Sequence, residues 1–252
     1  MKQIKLIHEV RAVKSKKELA NIIKAQKLSE KVLRYTVAKL QTHARAGQAG
    51  ITEIEVVNFI KKSFIKFGAP ILSFSPIVAF GKNTANIHHT PSKTKLKKGD
   101  IIMFDFGCTV NHYCSDMTRT YFWGEPNAKQ KKVYLDALRA MGLAMNKIKK
   151  GERRAKVIDK TARKFLNKKY GAKKFPHGLG HGVGTVIHEW PNFKPKSEDI
   201  LPVGCVMTIE PGLYLKGWGG VRIEDMILIT KKGYINLTKM PKNIKSAILQ
   251  IQ

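Results

Sequence analysis

The chain has 252 residues, 43% of them apolar, enough to bury a core of domain size without cross-links. Its three cysteines, Cys108, Cys114 and Cys205, form neither a C-x-x-C pair nor an even framework, which excludes a disulfide scaffold and a cysteine-rich zinc site. Forty-seven Lys and Arg against eighteen Asp and Glu leave a formal charge of +29, a field that attracts polyanions, but no nucleic-acid motif or interleaved aromatic platform accompanies it.

Ser15 followed by Glu18 is a capping-box signal. Leu19, Ile22, Ile23, Val32, Leu33, Val37 and Leu40 then recur at helical spacing, which predicts a long helix up to a stop at Ala46-Gly47. Thr52 and Glu55 repeat the device and open a second helix that carries Ile54, Val57 and Phe64 and ends near Gly68. Stretches rich in Ile, Val, Phe, Thr and Tyr at 71–81, 100–110 and 113–124 predict strands. After Pro126 the pattern restarts with helices over roughly 128–149 and 155–170, broken by Gly151 and closed by Gly171. Between Lys147 and Lys174, thirteen Lys or Arg face only Glu152 and Asp159, the densest charge in the chain. Extended segments return at 182–189, 204–215 and 219–230, the last two joined by a turn through Lys216-Gly217-Trp218-Gly219-Gly220. Two helices followed by strands, twice, predicts an internally duplicated α+β domain whose antiparallel sheet carries helices on one face. The amino terminus has no apolar stretch of signal-peptide length, and no run of about 18 apolar residues could span a bilayer, so a soluble, cytoplasmic protein is expected.

Asp105, Asp116, Glu210 and Glu224 each sit in a short apolar segment expected to be buried, as does His181. An unpaired carboxylate in a low-dielectric interior is costly, so it takes up a proton or finds a cation. Two divalent ions balance four negative charges and a neutral imidazole completes the set, which predicts a dinuclear metal site. Strand alternation allows the convergence. Ile102, Phe104 and Phe106 share one face while Asp105 points to the other beside Met103 and Gly107. A turn at Asn111-His112 brings Asp116 back toward Asp105. Thr208 and Glu210 share a face, as do Arg222 and Glu224. His177, His181 and His188 lie within twelve positions, amid glycines and a strand-like segment, a density that favours a metal role over a structural one. Oxygen-dominated ligation with one nitrogen suits Mn²⁺, Co²⁺, Fe²⁺ or Zn²⁺, and leaves the choice among them open.

Five segments together resemble the pita-bread metallopeptidases, the family of prolidase, aminopeptidase P and methionine aminopeptidase. They are Ile102-Met103-Phe104-Asp105-Phe106-Gly107, Tyr113-Cys114-Ser115-Asp116-Met117-Thr118-Arg119-Thr120, His177-Gly178-Leu179-Gly180-His181-Gly182-Val183-Gly184, Thr208-Ile209-Glu210-Pro211-Gly212 and Gly220-Val221-Arg222-Ile223-Glu224-Asp225. The resemblance runs from about Arg11 to the end. It implies the creatinase/aminopeptidase-like fold, with 1–10 a short extension and 11–252 the catalytic domain. It also implies that Asp105 holds one metal in bidentate fashion, that Asp116 and Glu224 bridge both ions, and that His181 and Glu210 complete the second site.

The Xaa-Pro branch is the closer one. Only a short excursion separates Glu210 from Arg222 and Glu224, and His88, His177 and Arg222 match positions that Xaa-Pro peptidases use; His88 fits better than His89. The implied activity is hydrolysis of the bond between an N-terminal residue and proline by a metal-bridging hydroxide, with Mn²⁺ the favoured ion. Glu210 would shuttle the proton, and His188 and His88 would hydrogen-bond the substrate carbonyl or the tetrahedral intermediate. His177 and Arg222 would orient substrate or brace the ligand carboxylates. The implied partners are a peptide substrate and a second copy in a homodimer, with no membrane. Contact with nucleic acid or the ribosome is left open by the charge, although solvated lysine-rich faces account for it. Prolidases and aminopeptidase P usually carry a further amino-terminal domain, and this chain begins almost at the catalytic one. That departure, in which the size resembles methionine aminopeptidase, keeps removal of N-terminal methionine in play, beside a non-catalytic pita-bread binding module.

Overall fold

A computed structural model describes residues 9–45 and 50–251; the helix stop at Ala46-Gly47 and most of the 1–10 extension lie outside the described residues. Helix α1 (Lys16–Arg45) starts at the expected box, where Ser15 N–H donates to Glu18 Oε2 at 2.7 Å and Glu18 N–H to Ser15 Oγ at 3.4 Å. Helix α2 (Glu53–Lys66) is capped reciprocally by Thr52 and Glu55. Its buried stripe runs through Glu53, Val56, Val57, Ile60 and Phe64, while Ile54, one position off that stripe, is 38% exposed. Helices α3 (Ala128–Lys149) and α4 (Ala155–Tyr170) open the second unit at the expected bounds. Buried Ala137, Ala140, Ala144, Ala155 and Ala162 belong to one core cluster, small side chains that let the two helices approach closely.

The first unit continues with β1 (Ile77–Phe80), β2 (Ile101–Asp105), β3 (Thr109–Val110), β4 (Tyr113–Cys114) and β5 (Thr118–Trp123). The second carries β6 (Gly180–Gly182), β7 (Glu189–Phe193), β8 (Val206–Ile209), β9 (Gly212–Leu215), β10 (Gly219–Arg222), β11 (Asp225–Thr230) and β12 (Gly233–Asn236), and the chain closes with α5 (Ile244–Ala247) and β13 (Ile248–Leu249). One sheet has the order β1-β2-β5-β13 and the other β12-β11-β8-β6-β7, with β3/β4 and β9/β10 as separate hairpins. All pairings are antiparallel except β5 with β13. The β3/β4 turn uses Asn111 and His112 at φ 47° and 70°, the left-handed region that Asn and His tolerate better than most residues.

Each unit packs its helices on one face of its sheet and turns the other face to the site. Ile102, Phe104 and Phe106 join Ile60 and Phe64 of α2 in one cluster, whereas Met103 on the opposite face packs with Ala79 and Tyr214. Met207 and Ile209 join the α3/α4 core, while Thr208 between them faces His181 and Glu210.

The long strands expected from the sequence are interrupted. The 204–215 stretch breaks at Glu210-Pro211, since proline offers no N–H to a ladder and Glu210 N–H is taken by Leu179 O at 2.8 Å. The 219–230 stretch breaks at Ile223-Glu224, where Glu224 N–H reaches across to Thr118 O at 3.1 Å and the chain steps from the hairpin into the five-stranded sheet. The 113–124 stretch breaks around Asp116. Of 182–189 only the ends are strand, because Gly184 N–H bonds to Val186 O and closes a loop. Of 71–81 and 100–110, 77–80, 101–105 and 109–110 form strands, and Leu72 and Cys108 pair in an isolated bridge.

Candidate metal centre

The interruptions are what gather the acids. Asp105 ends β2, Asp116 lies between β4 and β5, Glu210 between β8 and β9, and Glu224 between β10 and β11, while His181 sits on β6. Close backbone packing brings them together: a Cβ at Gly180 would lie 2.1 Å from Thr208 O, and one at Gly107 would lie 1.8 Å from Ser115 O. Ligand atoms of Asp116, His181 and Glu224 all lie within 4.8 Å of one another. His181 Nε2 is 3.5 Å from both Asp116 Oδ2 and Glu210 Oε1, too long for a good hydrogen bond and suited to ligands that share a cation. Its Nδ1–H is committed to Gly182 O at 3.0 Å, which fixes the tautomer and leaves the Nε2 lone pair aimed at the acids.

Among the described residues one guanidinium enters this group. Arg222, 3% exposed, donates from Nη2 to Asp105 Oδ2 at 2.5 Å, from Nε to Thr118 Oγ1 at 3.0 Å and from Nη1 to Tyr214 Oη at 2.7 Å. The second carboxylate oxygen of Asp105, Oδ1, is buried with no hydrogen-bond partner. Four acids against one arginine leave a strong excess of negative charge. Burial, reinforced by Asp105, pushes the Glu210 carboxyl up to about 8 against the pull of Arg222. Burial and the neighbouring acids raise Asp116 and Glu224 well above the usual carboxylate range. Burial and His188 push His181 down to about 4, so its imidazole is neutral, as a metal ligand must be. An orphaned buried oxygen, an unpaired imidazole nitrogen and three acids driven to hold protons all fit a pair of divalent cations.

Above this floor opens a cavity of about 690 Å³, and every site residue expected from the sequence lines it: the five ligand candidates together with His88, His177, His188 and Arg222. His188 meets His181 edge to face, ring centres 4.3 Å apart. His89 also lines the wall, with its Nε2 engaged by Glu53 Oε2 at 2.8 Å. His177 is held by Tyr214 Oη on Nε2 and by Gly178 O on Nδ1, both at 2.8 Å; burial and Arg222 push it down to about 3.

The sequence model of metallopeptidase family M24 matches residues 20–231. The chain belongs to metallopeptidase family M24. An uncharacterized peptidase of Staphylococcus aureus is 40% identical over 236 residues, 94% of this chain and 65% of that protein. Among solved structures, the Xaa-Pro dipeptidase from Bacillus anthracis matches at TM-score 0.88 and 34% identity, over 97% of this chain and 66% of that one. The prolidase from Pyrococcus furiosus matches at TM-score 0.86 and 36% identity, over 94% and 68% respectively. The M24 chain therefore has the pita-bread fold expected from its motifs, and it spans 65% of the length of the curated relatives.

Family M24 uses divalent metals, and three polar residues of this M24 chain that carried no assigned role brace its candidate ligands. Thr118 Oγ1 donates to Glu224 Oε2 at 2.7 Å while accepting from Arg222. Tyr214 accepts from Arg222 and passes its own proton toward His177 Nε2, so the arginine, the phenol and the imidazole form one directional chain. Arg119, 1% exposed, spends its donors on Asp225 Oδ1, Glu224 O, Thr118 O, Met240 O and Pro241 O, and so fixes the chain at Glu224 and Asp225. Arg119 and Thr118 lie within a quoted motif, but alternation in Thr-Arg-Thr-Tyr marks only a strand; a buried arginine inside it was the available signal.

Proposed function

We propose that this M24 chain is a dinuclear metal-dependent exopeptidase that hydrolyses the bond between an N-terminal residue and proline. The observation that carries the reading is the meeting of Asp105, Asp116, His181, Glu210 and Glu224 on one cavity floor, where Arg222 pairs with Asp105. Two divalent ions held there, Mn²⁺ before Co²⁺, Fe²⁺ or Zn²⁺, supply Lewis-acid activation of water and of the scissile carbonyl. Glu210, whose Oε2 also lies 3.9 Å from His177 Nδ1, takes the proton of the attacking water and returns it to the leaving imino nitrogen. His188 and His88 face the cavity and donate to the carbonyl oxygen as negative charge develops. Arg222 holds Asp105 and, through Tyr214, sets the ring of His177 beside the substrate.

Two observations support proline as the second residue. The chain is similar to a Xaa-Pro dipeptidase and a prolidase over nearly all of its length. Part of the cavity lining is apolar, Phe74, Pro76, Ile77, Ile87 and Pro91 among it, and suits a pyrrolidine ring. We take residues 11–252 as the catalytic unit, acting on peptides as a homodimer. Three buried free cysteines suit a reducing cytoplasm, and among the described residues no helix is long and apolar enough to cross a membrane.

The test is to load the protein with Mn²⁺ and compare Met-Pro, Ala-Pro-Ala and Met-Ala-Ser. Cleavage of the two proline peptides is expected. Methionine release from Met-Ala-Ser alone would reassign the protein to N-terminal methionine removal, and no turnover despite two bound ions would make it a binding module.

A further inference from the structure

His188 stands on the irregular loop between β6 and β7, so no sheet ladder sets its place over the acids. The next residue does. The Glu189 side chain, 9% exposed, turns back beneath the loop, where Oε1 accepts the Val186 N–H at 3.0 Å. Two cations from the start of the chain grip the same carboxylate: Arg11 Nη2 at 2.6 Å from Oε1 and Lys14 Nζ at 3.1 Å from Oε2. Arg11 Nη2 also donates to Thr185 Oγ1 at 2.5 Å, so it touches the loop twice. Lys14 is itself pinned, its side chain 2% exposed, its Nζ donating to Arg11 O at 2.7 Å and its backbone N–H to Gly204 O at 3.0 Å. Gly184 makes room, since a Cβ there would lie 2.2 Å from Glu189 Oε2. Burial pushes the Glu189 carboxyl up, but Lys14, the Val186 N–H and Arg11 outweigh it and hold it below the usual range. Glu189 does not line the cavity.

The geometry points to Glu189 as a positioning residue: its carboxylate, clamped by Arg11 and Lys14, fixes the loop that carries His188 and so holds that imidazole over the metal cluster. This rests on the proposed function, in which His188 touches the substrate. A buried, doubly paired carboxylate is a rigid anchor, and misplacing a catalytic group by about 1 Å costs on the order of 100-fold in rate.

The test compares the Mn²⁺-loaded wild type with E189Q, H188A and the double variant, reading kcat and KM on Ala-Pro-Ala, bound metal, and hydrogen exchange across 183–188. E189Q is expected to lower kcat by about 10- to 100-fold, with KM and metal content held within about twofold. In the H188A background the same substitution should cost no more than about twofold, because the group it positions is gone. Exchange at Val186 should accelerate while β8 and α3 keep their protection. An E189Q loss as large without His188 as with it, or full turnover in H188A, would overturn the assignment. Inactivity of the wild type on every Xaa-Pro peptide would defeat the proposed substrate instead; exchange then decides the clamp, and unchanged protection at 183–188 in E189Q overturns it.

Discussion

Removing divalent ions with a chelator should turn the candidate metal centre into a liability that grows with pH, and the sign and window follow from the site. Burial and mutual repulsion raise Glu210 to about 8, and Asp116 and Glu224 well above the carboxylate range. A carboxyl raised in the folded state keeps a proton that the unfolded chain has already released. Each such group therefore subtracts about 1.4 kcal/mol of stability per pH unit until the folded value is passed. The imidazoles have the opposite sign. His177 at about 3 and His181 at about 4 are neutral when folded and protonated when unfolded, so they add stability as pH climbs to their ordinary 6.5. Below pH 6.5 the two sets oppose each other; above it only the carboxyls act. From pH 6.5 to 8 Glu210 alone removes about 2 kcal/mol, and Asp116 and Glu224, raised in the same direction, add to the loss. Urea denaturation at half-unit steps, in chelator and in saturating Mn²⁺, measures this directly. Stability should fall with pH in chelator and stay nearly level, at a higher value, with the ion. A level or rising curve in chelator across that window would refute the reasoning.

H181A should lose bound metal and activity together, whereas H188A should lose about 10²- to 10³-fold in kcat with metal content unchanged; elemental analysis beside kinetics separates them. R222A strands Asp105, Thr118 and Tyr214 and should cost about 3–5 kcal/mol by chemical denaturation, with R222K recovering only part because an ammonium cannot reproduce a three-way fork. G180A drives a methyl to 2.1 Å from Thr208 O and should destabilise the fold by at least about 3 kcal/mol, so a wild-type unfolding midpoint would contradict the packing described.

The helices were legible because their signals are local. Capping boxes at Ser15 and Thr52, apolar spacing and the glycines at 151 and 171 lie within a turn or two of the boundaries they set. The interruption at Pro211 had a local signal in the proline itself, but the one at Glu224 was not legible, since what breaks the strand there is a hydrogen bond to Thr118, more than a hundred positions away. The acids could be listed from their apolar surroundings and motif spacing, and all of them line the one cavity with the expected histidines and Arg222. Tyr214 and Arg119 escaped because their work consists of partners, and neither the phenol nor the guanidinium advertises a partner in one dimension.

Asp105 and Asp116 come from the first helix-and-strand unit, His181, Glu210 and Glu224 from the second. Under the proposed ligand set neither unit alone can complete the coordination of an ion. Loading is then a late event in biogenesis, open only after both units have folded and met. A seated dication works as a rivet through the seam, and occupancy counts finished molecules.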